Sequence, residues 1–171
     1  METLSGMAIA LMIVVGSIRG QNASPCSALA EFRQLDFWIG EWDVKNPEGK
    51  IVGKSSIGRI VGDCVIFENY TSTRGPYEGK SFNIYNRQQG KWQQFWVDNQ
   101  GDVLEFAGAV TDNRMQYEGV SKDSAGNDLK HIMTLTQMKD KSVLQVWDQS
   151  TDGGKTWKTV FNGLYVPRKE H

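Results

Sequence analysis

From Glu41 to Val166 the chain alternates short stretches of mixed apolar and polar residues with clusters of turn formers, and within the stretches the period is two. Ten of them read as β-strands: Glu41–Asn46, Ile51–Val61, Cys64–Ser72, Lys80–Asn86, Trp92–Asp98, Val103–Val110, Met115–Ser121, Leu129–Met138, Val143–Gln149 and Trp157–Val166. Between them stand Asn46-Pro47-Glu48-Gly49, Gly62-Asp63, Gln88-Gln89-Gly90, Asn99-Gln100-Gly101-Asp102, Asp112-Asn113 and Asp152-Gly153-Gly154. These residues tolerate positive φ and suit hairpin connections. An open up-and-down sheet of ten strands would leave two unpaired edges, so the pattern predicts closure into an antiparallel barrel. Trp92, Gln94, Trp96 and Asp98 share one face of a strand, and Gln93, Phe95 and Val97 share the other. The pattern alone leaves open which face points inward.

The front of the chain reads differently. Ser24-Pro25 resembles an N-cap with proline at the first helical position, and Leu29, Phe32 and Leu35 then recur at helical spacing, which predicts a short helix or a pair of turns. Asp36-Phe37-Trp38-Ile39-Gly40-Glu41-Trp42 follows, with aromatics too costly to leave in water, so this stretch is expected to plug one end of the barrel. Further forward, residues 7–18 form an apolar run too short to span a bilayer with ease and of the length of a signal-peptide core. We therefore expect a signal peptide over 1–20 and one barrel domain over 21–171, secreted or periplasmic, with no integral membrane segment in the mature chain. Cys26 and Cys64, the chain's two cysteines, read as a disulfide in an exported protein. Closing a loop of that length stabilises by about 4 kcal/mol on the chain-entropy account.

Composition narrows the function classes. The 171 residues carry 19 Lys+Arg against 20 Asp+Glu, without a basic run, so nucleic acid is not an expected partner. Eighteen glycines and four prolines suit many short strands rather than a disordered chain. The chain offers no phosphate-binding loop, nucleophile elbow or dinucleotide fingerprint. No spacing of His, Cys and carboxylate supplies a metal site.

Trp38-Ile39-Gly40-Glu41-Trp42 at the start of such a barrel resembles the calycin superfamily of lipocalins, fatty-acid-binding proteins, avidins and nitrobindins. There a Gly-x-Trp pair opens the first strand and an Arg near the last strand lies across the Trp ring. The resemblance makes Trp42 and Arg168 that pair, with a cation–π contact of roughly 0.5–2 kcal/mol. More closely, three stretches are similar to an exported bacterial family of unknown function: the Asp-Phe-Trp-Ile-Gly-Glu-Trp start, Cys64-Val65-Ile66-Phe67-Glu68-Asn69, and Thr151-Asp152-Gly153-Gly154-Lys155-Thr156-Trp157. That similarity implies a fold and export and brings no activity with it. The last stretch also resembles the Asp-box of sialidase propeller blades, which implies structural roles for Asp152 and Trp157 in a hairpin turn. Nitrobindins hold haem through a histidine. His131 is the candidate for that role here, although a half-exposed strand histidine is the commoner occurrence.

The candidate chemistry lies on the strands. Of the carboxylates Glu41, Asp43, Glu68, Asp98, Glu105 and Glu118, we expect Asp43 and Glu118 on a solvated outer face. Glu68-Asn69 interrupts a strand of β-formers, so one of the two must enter the barrel. Tyr85, Trp92, Trp96, Phe106, Tyr117 and Trp147, interleaved with Asn83, Gln94 and Gln145, suit an apolar pocket with a few placed polar groups. They equally suit a filled core. The expectation is a barrel that binds a small apolar or amphipathic ligand through Glu68, Asn69, Asn83, Tyr85, Gln94, Trp96, Tyr117 and Trp147. The alternatives are a small enzyme using Glu68 or Glu105 as acid/base, and a haem protein through His131.

Overall fold

Alternate side chains on every strand turn to one interior. The computed structural model describes residues 24–169; the apolar run at 7–18 and His171 lie outside them. The strands are β1 (Gly40–Lys45), β2 (Ile51–Ile60), β3 (Val65–Ser72), β4 (Glu78–Asn86), β5 (Lys91–Asp98), β6 (Val103–Thr111), β7 (Arg114–Lys122), β8 (Asp128–Gln137), β9 (Val143–Ser150) and β10 (Lys158–Pro167). Each pairs antiparallel with its sequence neighbours, and β1 pairs with β10, so the sheet closes into a ten-stranded barrel without a free edge. The closing seam sets Trp42 opposite Pro167 and Val44 opposite Tyr165. Bulges at Val44/Lys45 and Thr159/Phe161 fall on the strands that flank this seam.

The ten expected strands are all present, with ends moved by one or two residues. Cys64 precedes β3 rather than opening it, because its backbone N–H closes a turn onto Val61 O. Trp157 stays in the turn before β10, its indole donating to Gly154 O at 3.1 Å.

The helical front is a chain of separate turns: an α-turn α1 (Pro25–Ala28), capped by Ser24, and two 3₁₀ turns at Ala30–Arg33 and Asp36–Trp38. Leu29 adopts extended backbone between the first two and breaks any continuous helix. This broken path lets Phe32, Leu35 and Trp38 all bury themselves against the barrel end. Phe32 meets Tyr85 edge-on at 5.8 Å, and Trp92 Nε1 donates to Gln34 Oε1 at 3.0 Å. Arg59 pairs with Asp36 and donates to Phe32 O. Cys26 and Cys64 are joined by a disulfide, with Cα atoms 5.0 Å apart, which fastens the plug to the turn before β3.

Trp42 and Arg168 meet at the seam, but not ring to guanidinium. Arg168 Nη2 donates to Trp42 O at 3.0 Å, Nη1 lies 3.3 Å from Glu41 Oε2, and Nε lies 3.5 Å from Asp43 Oδ1. The Trp42 indole turns inward, donates to Trp38 O at 3.0 Å and packs edge-on to Tyr165. Pro167 brings the arginine alongside β1, where carbonyl and carboxylates compete for its planar fork.

Candidate functional site

The plug fills the barrel end at which β3 begins and β4 ends. Toward the other end, where β3, β5 and β9 finish, the interior is not filled. A cavity of about 240 Å³ lies there, walled by Tyr70, Tyr77, Trp96, Leu104, Phe106, Met133, Trp147, Phe161 and Tyr165, with Glu68, Gln94 and Gln145 as its polar members. For scale, an engineered apolar cavity of about 150 Å³ accepts benzene. The space exists partly because β4 carries Gly79 where an inward side chain would stand: a Cβ there would collide with the Trp96 ring. Removing that one side chain lets the indole lie back against the sheet.

Glu68 is the chemical centre of this wall. It is buried to 3% exposure and accepts three hydroxyl hydrogen bonds: Ser55 Oγ and Tyr165 Oη reach Oε1 at 2.9 and 3.2 Å, and Ser81 Oγ reaches Oε2 at 3.0 Å. A second layer aims the same way. Gln94 Nε2 and Tyr117 Oη donate to Asn83 Oδ1 at 2.8 and 3.0 Å, and Asn83 Nδ2 donates to Ser81 Oγ at 3.0 Å. Because Ser81 Oγ accepts from Asn83, its own proton is directed to Glu68, so the chain of donors runs toward the carboxyl group. Desolvation raises the Glu68 pKa above the ordinary value of 4.5, and the Ser55, Ser81 and Tyr165 bonds offset part of that rise. Among the described residues no cationic side chain pairs with it.

Of the side chains expected to meet a ligand, Glu68, Gln94, Trp96 and Trp147 line the cavity. Asn83 and Tyr117 are fully buried beneath it and orient the wall. Asn69 is exposed on the outer face, since strand alternation sends it opposite to Glu68. Tyr85 faces the plug, edge-on to Phe32 and Trp92, and stands away from the cavity. Glu105 is exposed on the outer surface opposite Phe95, which removes it from any interior acid/base role. Asp98 reaches the cavity rim. There it accepts from Tyr77 Oη and Trp96 Nε1 while its other oxygen caps the backbone of Gln100 and Asp102. Desolvation opposes ionisation of Asp98, but those backbone and side-chain donors outweigh it and hold its pKa low.

Sequence reasoning missed Ser55, Ser81, Tyr70, Tyr77, Leu104, Met133, Phe161 and Tyr165. Fixing Glu68 as inward brings Tyr70 with it by parity, and Ser81 stands directly opposite Glu68 in the β3–β4 register.

His131 is buried and held at both ring nitrogens: Trp147 Nε1 donates to Nδ1 at 3.2 Å, and Nε2 lies 2.8 Å from Ser121 Oγ. An indole donor fixes Nδ1 as acceptor and places the proton on Nε2. Burial lowers its pKa and keeps it neutral. A haem iron needs a free ring nitrogen, and both nitrogens of His131 are engaged, so these residues do not fit that group.

The Asp152 turn is an architectural unit. The Asp152 carboxylate accepts from Lys155 N, Thr156 N, Thr156 Oγ1 and Ser150 Oγ, and Gly153 and Gly154 take positive φ. The bonds from Thr156 are the main cause of its strongly depressed pKa.

The sequence matches no known family profile. It is similar to Xyloglucanase Xgh74A of Acetivibrio thermocellus, with 27% identity over 118 residues that cover 67% of this chain. The matched stretch spans 13% of the xyloglucanase's length.

Proposed function

We propose that this protein is an exported, calycin-like barrel that binds a small apolar or amphipathic molecule in the cavity before Glu68. The observation that carries the reading is the cavity itself: about 240 Å³ of space walled by aromatic and aliphatic side chains, with a few polar groups at fixed places. A barrel built only for stability would fill that space, since unfilled core volume forfeits packing energy. The plug closes the opposite end, so a ligand enters past Tyr77, Trp96 and Phe161. The Cys26–Cys64 bond supports export, because such bonds persist in oxidising compartments. Among the described residues no helix is long and apolar enough to cross a membrane.

The likeness to a xyloglucanase raises a glycosidase reading, but the cavity supports binding better. Most glycoside hydrolases set two carboxyl groups across the scissile bond. Here Glu68 is the carboxyl group on the cavity wall, and Asp98 at the rim is committed to holding its loop.

An environment-sensitive apolar dye tests the proposal. It should bind the folded protein one to one and quench part of the tryptophan fluorescence. Trp96→Ala should weaken dye binding by more than it weakens folding. If the dye does not bind, or if Trp96→Ala costs the roughly 3–5 kcal/mol of a filled-core truncation with no dye site to lose, the proposal fails.

A further inference from the structure

Three features of the cavity wall point to one ligand chemistry. Seven of its twelve side chains are aromatic, and an enclosure of ring faces attracts a positive charge. Glu68 is its acidic member, and no Lys or Arg lines it. The remaining hydrogen-bonding capacity is that of an acceptor. Glu68 takes three of the roughly four hydrogen bonds a carboxylate can accept, leaving one direction at Oε2.

A buried carboxylate is stabilised when a cation completes it and is costly when left alone. The donors converging on Glu68 soften that cost but bring no positive charge. An anionic ligand would face the carboxylate without a counter-charge. A neutral ligand would leave the attraction of the rings unused.

We infer that the cavity receives a small organic ammonium ion, a primary or secondary amine on an apolar body about one ring in size, with its charged N–H group directed at Glu68. The inference rests on the cavity being a ligand site and adds the charge and polarity of the occupant. The aromatic body packs among Trp96, Phe106 and Trp147. The ammonium group offers donors and no acceptor, which matches what the wall leaves unsatisfied.

Three probes of one shape test it on the disulfide-intact protein near neutral pH: phenethylamine, phenethyl alcohol and hydrocinnamate, followed by calorimetry. Phenethylamine should bind at least about tenfold tighter than the alcohol, and hydrocinnamate weakest of all. Glu68→Gln should cut the amine's advantage over the alcohol to within about threefold. The wild-type ranking alone decides the matter if that variant fails to fold. Equal affinity for amine and alcohol, or preference for hydrocinnamate, overturns the inference and leaves the barrel a binder of another class. If none of the three binds while the apolar dye does, the inference again falls and ligand binding stands. If neither probes nor dye bind, both fall together.

Discussion

Glu68 and Asn69 are neighbours of similar polarity, and one residue of strand register decides that the first meets the cavity and the second meets water. The sequence makes the either-or legible, because a polar pair in a β-forming strand must place one member inside. It does not resolve the choice, because the groups that make burial of Glu68 tolerable sit on other strands: Ser55 on β2, Ser81 on β4, Tyr165 on β10. These hydroxyls are ordinary in sequence and acquire meaning only across the register. The consequence is measurable. Burial raises the Glu68 pKa in the folded state above its value of about 4.5 in the unfolded chain, so folding favours its protonated form. That contribution is fully present below the unfolded pKa and is lost as pH rises through the folded one. Tyr70, Tyr117 and Tyr165 are the other ionisable groups facing it, and their raised pKa values keep them neutral across this range. Wild type should therefore lose stability relative to Glu68→Gln as pH rises from about 4.5 toward neutrality, measured by urea unfolding. Parallel curves for the two proteins would show that the burial of Glu68 is offset in full.

Among the elements, the strands were the most legible, because period-two patterning and turn chemistry agree at most of the hairpins. The front segment was less so. Leu29, Phe32 and Leu35 keep a helical spacing, yet the requirement to lie across a barrel end breaks the path into three turns. The closing strand shows another limit. A Gly-x-Trp start paired with a late arginine identifies which residues meet, while the manner of their meeting depends on Pro167 and on the local carboxylates. Arg168 bridges Trp42 O, Glu41 and Asp43 on the adjacent strand, and its backbone N–H donates to Glu41 O at 2.8 Å. Arg168→Ala should cost about 1 kcal/mol, the worth of a side-chain hydrogen bond to the backbone plus partly exposed ion pairs. Lysine should recover part of this, since one ammonium cannot serve a carbonyl and two carboxylates in the fixed geometry of a fork. A ring-stacked arginine would be insensitive to loss of the carboxylates. In a Glu41→Gln, Asp43→Asn background, by contrast, Arg168→Ala should shift a thermal melt less than it does in wild type, keeping only the part due to the bond to Trp42 O.

At the scale of the whole molecule the barrel has two unlike ends, and on the proposed function this division separates stability from binding. One end holds the plug, the Arg59–Asp36 pair and the disulfide; the other holds the cavity and its rim. The cysteine pairing was legible from the chain's two cysteines and the apolar run at 7–18 of its sequence. The cavity was not, because the same aromatic inventory suits a filled core, and the difference turns on details such as Gly79 beneath Trp96. The unlike ends make a joint prediction. The bond between Cys26 and Cys64 spans a separation of 38 residues, and on the chain-entropy account its loss destabilises the fold by about 4 kcal/mol. Most of that acts on the unfolded chain, and the native contacts disturbed are those of the plug, at the far end from Glu68. Cys26→Ser with Cys64→Ser should therefore lower the urea midpoint sharply while leaving the affinity for an apolar dye within about twofold, measured where the variant is still folded. A thiol titration of denatured, unreduced wild-type protein should find no free thiol, which fixes the starting state. If the double variant loses the dye site along with its stability, the two ends are mechanically coupled, and the plug helps to shape the cavity.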